Sequence, residues 1–336
     1  MRNDTRALYN AYCQALATLN GVDSVGNKFN VTPTVQQTLE TRIQESSEFL
    51  TRISMIGRTE QEGDKLGLGI GGTIAGTTDT NAAPRQTQDL HSFDEIGYRC
   101  TQTNFDTHIR YAILDAWAKF PDFQTRLRDA IIKRQALDRI LIGFNGTSRA
   151  ATSNRGTSPM LQDVNIGWLQ KYRNHAPARV MKEVVAASGK VTHGVGGDYE
   201  NLDALVYDAV NNMIDPWHQE DTELVVICGR GLLHDKYFPI VNKTQAPTET
   251  LAADIILSHK QLGGLPAMRV PGFPQNALMV TRLDNLALYW QEGARRRNVI
   301  ENSARDRIEN YESSNEAYVI EDFGCGCVVE NIQAKV

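Results

Sequence analysis

Residues 57–98 are the stretch that most restricts what this chain can become. Gly, Thr, Asp and Gln dominate it, and Leu66, Leu68 and Ile70 alternate with Gly67, Gly69 and Gly71. Alternation of period two is a strand signal, yet glycine at every second position leaves almost no side-chain mass to bury. A segment of this length without a core of its own is either disordered or held by something else, and within a compact domain it counts against a self-sufficient monomer. It reads as an extended hairpin resting on neighbours.

The sequence on either side can build a conventional core. A chain of 336 residues buries about three quarters of its unfolded surface, and 41% hydrophobic with 22% charged residues is the composition of a soluble globular protein. Leu8, Tyr12, Leu16 and Leu19 recur at spacings of three and four, with Asp4 or Thr5 as cap and Gly21 as stop, predicting a short amphipathic helix over 5–20. Residues 21–34 carry Gly21, Gly26, Asn27, Asn30 and Pro33 without a period, which predicts a flexible linker. Phe123, Leu127, Ala130, Leu137, Leu141 and Phe144 define one apolar face of a long helix over 122–144, capped by Asp122 and closed by Gly143 and Gly146. At 1.5 Å per residue such a helix is about 34 Å long. A second helix is expected over 201–214, ended by Pro216, and strands at 224–228, 278–280, 286–290, 317–321 and 327–329. Helices and strands that mix without regular alternation indicate an α+β fold rather than α/β.

Motifs that would carry chemistry are weak. Residues 67–72 match GxGxxG, but residues 73–81 continue in Thr, Gly and Asp without a helical period, so no helix N-terminus stands ready for a pyrophosphate. Cys325 and Cys327 would share one face of a strand, but a closed zinc site needs four ligands and no CxxC or HxxxH partner exists, so they read as small core residues. No histidine falls in a paired ligand spacing, and the acidic pairs Asp94-Glu95, Glu220-Asp221 and Glu321-Asp322 are adjacent in sequence, whereas acid/base work needs two carboxylates in different environments. GxSxG and the Walker lysine motif are missing. Catalytic residues, cofactor and metal are therefore all expected to be none. Arg295-Arg296-Arg297 is the one dense basic cluster, followed by alternating charge through Glu309, and it predicts a salt-bridged surface or a subunit contact. A net charge of −5 lacks the basic excess of a dedicated nucleic-acid binder. Five scattered cysteines and an N-terminus without an apolar h-region point to a reducing compartment, and no run approaches a membrane span.

Several long stretches resemble the major capsid proteins of Peduovirus (P-two-like) tailed phages: Glu45-Ser-Ser-Glu-Phe-Leu-Thr-Arg-Ile53, Asp129-Ala-Ile-Ile-Lys-Arg-Gln135, Gly167-Trp-Leu-Gln-Lys-Tyr-Arg-Asn174, Ala176-Pro-Ala-Arg-Val-Met181 and Asp235-Lys-Tyr-Phe-Pro-Ile-Val-Asn242. The resemblance covers nearly the whole chain. It implies the Hong Kong 97 capsid fold, with an N-terminal scaffold-like segment at 1–31, an N-arm at 32–56, an extended loop at 57–105, a peripheral domain at 106–200 whose spine helix is 122–144, an axial domain at 201–297, and a return to the peripheral domain at 298–336. It further implies assembly with itself into hexamers and pentamers of an icosahedral head. The implied partners are an internal scaffold, a maturation protease, a portal protein and packaged double-stranded DNA bound without sequence specificity, with no membrane; assembly is expected in the host cytoplasm. Removal of the N-terminal segment is expected near Phe29, Asn30 and Val31, in the unpatterned linker. Lys65, the single lysine in 57–98, would be the candidate for a covalent crosslink known in one capsid lineage, but no carboxylate catalyst for it is identifiable. The runner-up function is an encapsulin-like compartment shell.

Overall fold

A computed structural model describes residues 1–65, 75, 77–80, 84–85, 94–117, 120, 123–233, 236 and 260–335; the GxGxxG stretch, Asp122 and, apart from Lys236, the motif at 235–242 lie outside the described residues. In chain order the elements are α1 (Asn3–Asn20), β1 (Phe29–Asn30), α2 (Pro33–Glu45), α3 (Glu48–Arg52), β2 (Ser54–Arg58), β3 (Glu62–Lys65), β4 (Asp94–Arg99), β5 (Thr101–Asn104), β6 (Thr107–Arg110), α4 (Tyr111–Trp117), α5 (Phe123–Asn145) and α6 (Trp168–His175). There follow β7 (Val180–Met181), β8 (Val191–His193), α7 (Leu202–Met213), α8 (Pro216–Gln219), β9 (Leu224–Cys228), β10 (Gln261–Leu262), β11 (Leu265–Arg269), β12 (Leu278–Arg282), β13 (Leu286–Gln291), β14 (Arg296–Asn302), β15 (Arg307–Ile320), β16 (Gly326–Val329) and β17 (Ile332–Ala334). The class is α+β, as expected.

β15 organises the first sheet. Its early residues pair antiparallel with β14 and β6, and its later residues with β13 and β5, so one strand of 14 residues carries four partners. β2 adds in parallel to β13, and β1 covers the outer edge of β14. Side chains alternate along a strand, and both faces of β15 are used: Glu312, Glu316 and Tyr318 meet α5 and α6, while Ala317 and Val319 join Tyr98, Cys100 and Tyr289 on the other side. The second sheet runs β10-β11-β9-β12-β16-β7. Leu202, Leu205, Val206, Ala209 and Met213 of α7 cover it, and Asn201 caps that helix by accepting from the Ala204 amide at 2.8 Å. β13 falls within the span 201–297, and β14 begins at its end, yet both pair in the first sheet, and the late strand β16 pairs in the second.

Trp168 anchors the main core. It is fully buried, donates from Nε1 to the Ala287 carbonyl at 2.9 Å, and its ring meets those of Phe49, Phe144 and Tyr318 at 6.1, 5.0 and 5.3 Å. Gly143 does not close α5; it lies inside it, where a Cβ would collide with the Trp168 ring.

The face that α5 buries also differs from the one expected. Ile132, Gln135, Ala136, Arg139 and Ile140 are buried, whereas Leu137 and Leu141 are half-buried and Ala130 is exposed. The apolar period was misleading because the buried stripe contains a glutamine and an arginine, both satisfied by carboxylates from elsewhere. Arg139 donates to Glu40 of α2 at 2.6 and 3.1 Å and to Glu316 at 2.6 and 3.0 Å. Arg295 donates to Glu40 at 2.7 Å, Glu312 at 2.8 Å and Gln135 at 2.8 Å, and Gln135 in turn donates to Glu312 at 2.9 Å. Two guanidiniums thus face three carboxylates, all nearly or fully buried. Burial pushes the Glu40 carboxyl up, but Arg139 and Arg295 outweigh it and hold it below its ordinary value; Arg295 and Arg297 do the same for Glu312. For Glu316 burial prevails over Arg139 and the carboxyl is raised, which fits its place as the surplus negative charge.

Two outcomes follow for the free subunit. Glu40 accepts from both arginines, so Glu40→Gln sets amide hydrogens against guanidinium hydrogens and should cost about 3 kcal/mol. Glu316 accepts through Oε1 while Oε2 has no partner, so Glu316→Gln should cost less than about 1 kcal/mol; urea unfolding midpoints rank the two. The depressed Glu40 and Glu312 contribute stability that is present above the ordinary carboxylate range and lost as pH falls through their lower folded values, while raised Glu316 loses stability as pH rises through its range. Wild type should therefore destabilise on acidification below about pH 4, and Glu316→Gln should flatten the loss above it, read as denaturation midpoints across pH.

Candidate functional site

Two features flank the body: the β3–β4 pair at the ends of the 57–98 stretch, and the N-terminal segment. At the root, β3 and β4 pair antiparallel. The Arg58 guanidinium lies 4.6 Å from the centre of the Tyr289 ring and donates to its hydroxyl at 3.1 Å. Tyr289 donates to Glu321 at 2.8 Å and packs edge-on against Tyr98 at 5.0 Å. Lys65 is buried, and its ammonium donates to the Ile320 carbonyl at 2.6 Å. That lysine is a structural tie at the base of the hairpin, which removes the accessibility a crosslinking role would require.

The N-terminal segment is docked rather than loosely tethered. Helix α1 ends where Gly21 takes a φ of 63°, with the Val22 amide donating back to Ala17 at 3.0 Å. Its buried residues are Thr5, Leu16, Ala17 and Asn20, while the expected face members Leu8 and Leu19 are exposed. Arg6 grips Glu301 at 2.7 and 3.0 Å, and Tyr111 donates to the same carboxylate at 2.7 Å. The supposed linker carries Val25, Phe29 and Val31 into a shared apolar cluster with Leu16, Ala17, Leu114, Val299 and Ile308. Phe29 and Asn30 pair with Arg297 and Arg296, and the Val31 amide donates to the Arg295 carbonyl at 2.9 Å. Phe29 and Asn30 therefore form a short strand on a sheet edge, with Val31 tied just after it; the spacing of Val25, Phe29 and Val31 was the signal, and it was too short to register as a period.

The basic cluster does not form the surface patch expected from its charge. Arg295 is fully buried in the carboxylate network, Arg297 donates to Tyr12 and Asn310 at 3.0 and 2.8 Å, and only Arg296 is exposed. Cys325 and Cys327 are core residues, and burial pushes their thiols up to about 11 and about 12, so both are protonated near neutrality. Among the described residues no group of three or more His, Cys, Asp or Glu is placed to hold a metal, and no helix is long and apolar enough to cross a membrane.

A family model for the phage major capsid protein, P2 family, matches residues 8–332. Among curated proteins, the capsid proteins of Escherichia phage P2 are 54% identical over 99% of this chain and 96% of theirs, and the major capsid protein of Serratia phage KSP20 is 39% identical over 99% and 97%. A solved structure of the satellite phage P4 procapsid including size determination (Sid) protein contains a chain 52% identical to this one, with TM-score 0.83 over 100% of this chain and 99% of that one. Full-length relatives at these identities favour a phage head over the encapsulin-like alternative. A core built on two mixed sheets, a long helix and a rooted hairpin is thus the Hong Kong 97-like capsid fold, and the chain belongs to the P2 family of phage major capsid proteins.

Proposed function

We propose that this chain assembles with itself into hexamers and pentamers of an icosahedral head in the host cytoplasm, that the head encloses double-stranded DNA, and that the chain catalyses no reaction. Similarity along residues 8–332 to capsid proteins carries the reading. It is supported by a hairpin whose root is tied by Arg58, Tyr289 and Lys65 while the chain supplies almost no apolar mass beyond it. Contacts between neighbouring subunits are heterologous and close by rotation into rings. Internal scaffold, maturation protease and portal protein are the proposed partners, and a net charge of −5 suits DNA that must be packed and released.

In this scheme residues 1–31 are the scaffold-like segment, 32–56 the N-arm, 57–105 the extended loop, 106–200 the peripheral domain, 201–297 the axial domain and 298–336 the return. The sheet pairing favours one adjustment, with β13 and the first two residues of β14 belonging to the peripheral side. Processing near Phe29, Asn30 and Val31 belongs to the same reading. A protease needs an extended, accessible substrate, so cleavage there requires β1 to peel from β14 by local unfolding.

Co-expression with its scaffold should give closed shells or rings of five and six by negative-stain electron microscopy; a persistent monomer would sink the proposal. N-terminal sequencing of mature particles should begin just after the Phe29–Val31 region. Retention of Met1 in those particles would exclude processing there.

A further inference from the structure

A cleft of about 640 Å³ lies between the β3–β4 pair and the body, a size usual for ligand sites. Lys171 of α6 and Arg149 border it. Lys171 is half-buried, Arg149 is exposed and spends its guanidinium on the Val164 and Gln102 carbonyls at 3.0 and 2.6 Å, and neither forms an ion pair among the described residues. Burial and the nearby Lys65 ammonium push the Lys171 ammonium down. Thr101 and Tyr318 border the same cleft, and the hydroxyl of each is buried without a hydrogen-bond partner among the described residues. Of the acids present, Glu62 lies 3.6 Å from Arg99, and Asp64 is an exposed residue of the hairpin. The half-buried Lys171 ammonium and the exposed Arg149 guanidinium thus place two positive charges at the border of one cavity without an ion pair among the described residues, and for the half-buried one that is costly.

We propose that this cleft is an anion site that takes a carboxylate or phosphate group between Lys171 and Arg149. Two sources share that chemistry: an acidic side chain from a second copy of this chain, which rests on the shell reading above, and free phosphate, which does not.

The test compares the full-length wild type with Lys171→Met and Lys171→Arg. Melting temperature is followed against inorganic phosphate at constant ionic strength, with chloride as the balancing ion. Shells made by co-expression with scaffold are titrated with guanidinium chloride in parallel. If the anion is free phosphate, wild type shows a saturable rise in melting temperature, Lys171→Met weakens the apparent affinity roughly ten-fold or more, and Lys171→Arg restores it. If the anion is a neighbour's carboxylate, Lys171→Met shells dissociate at lower denaturant than wild type while the isolated subunit melts unchanged, and Lys171→Arg again rescues. Wild-type behaviour of Lys171→Met in both assays overturns the proposal. Failure of the wild type to form any shell would count against the shell reading alone, because the phosphate titration still reports on the site.

Discussion

The buried meeting of Arg139 and Arg295 with Glu40, Glu312 and Glu316 is the interaction on which the rest of the subunit depends. It joins α2, the long helix α5, the break before β14 and the central strand β15, pieces drawn from three widely separated parts of the sequence. An apolar contact at the same place would tolerate sliding, whereas bidentate guanidinium pairing fixes distance and angle together. Desolvation makes such a network an inefficient source of stability. Its value here is register: the helix can sit on the sheet in one way only if every donor is to find its carboxylate.

That network also explains what the sequence could and could not disclose. Helices α1, α5 and α7 and the strands β9, β12, β13 and β16 announced themselves because their periods or β-branched runs are long enough to stand out. The buried face of α5 did not, because hydropathy assigns Gln135 and Arg139 to solvent, and only the partners supplied by distant residues reverse that assignment. Ile132, Ala136 and Ile140 at spacings of four were the visible part of the true face. Arg295 misled for the same reason: three arginines in a row look like surface until one of them is found turned inward.

The root of the hairpin and the N-terminal segment show a second kind of illegibility. Neither has a core of its own, so local sequence records only a lack of apolar mass. What fixes them is borrowed: Tyr289 and Glu321 hold Arg58, the Ile320 carbonyl holds Lys65, and the edge of β14 receives Phe29 and Asn30. The P2-family resemblance supplied the general plan of these parts, while the specific ties became readable only when the two sheets were in place.

The position of β15 and β16 in the chain bears on how the subunit is made. Both strands come from residues after 306, and each sits inside a sheet several of whose other members were synthesised long before. β5 and β6, for example, wait some two hundred residues for their partner. Pairings this remote raise contact order and slow folding. A nascent chain still lacking them has two incomplete sheets and only Glu40 of the three carboxylates that its buried arginines pair with, so the native pairings that complete the subunit form late in synthesis. The order of synthesis thereby acts as a timer, allowing both sheets to close only once the chain has been translated through Val329.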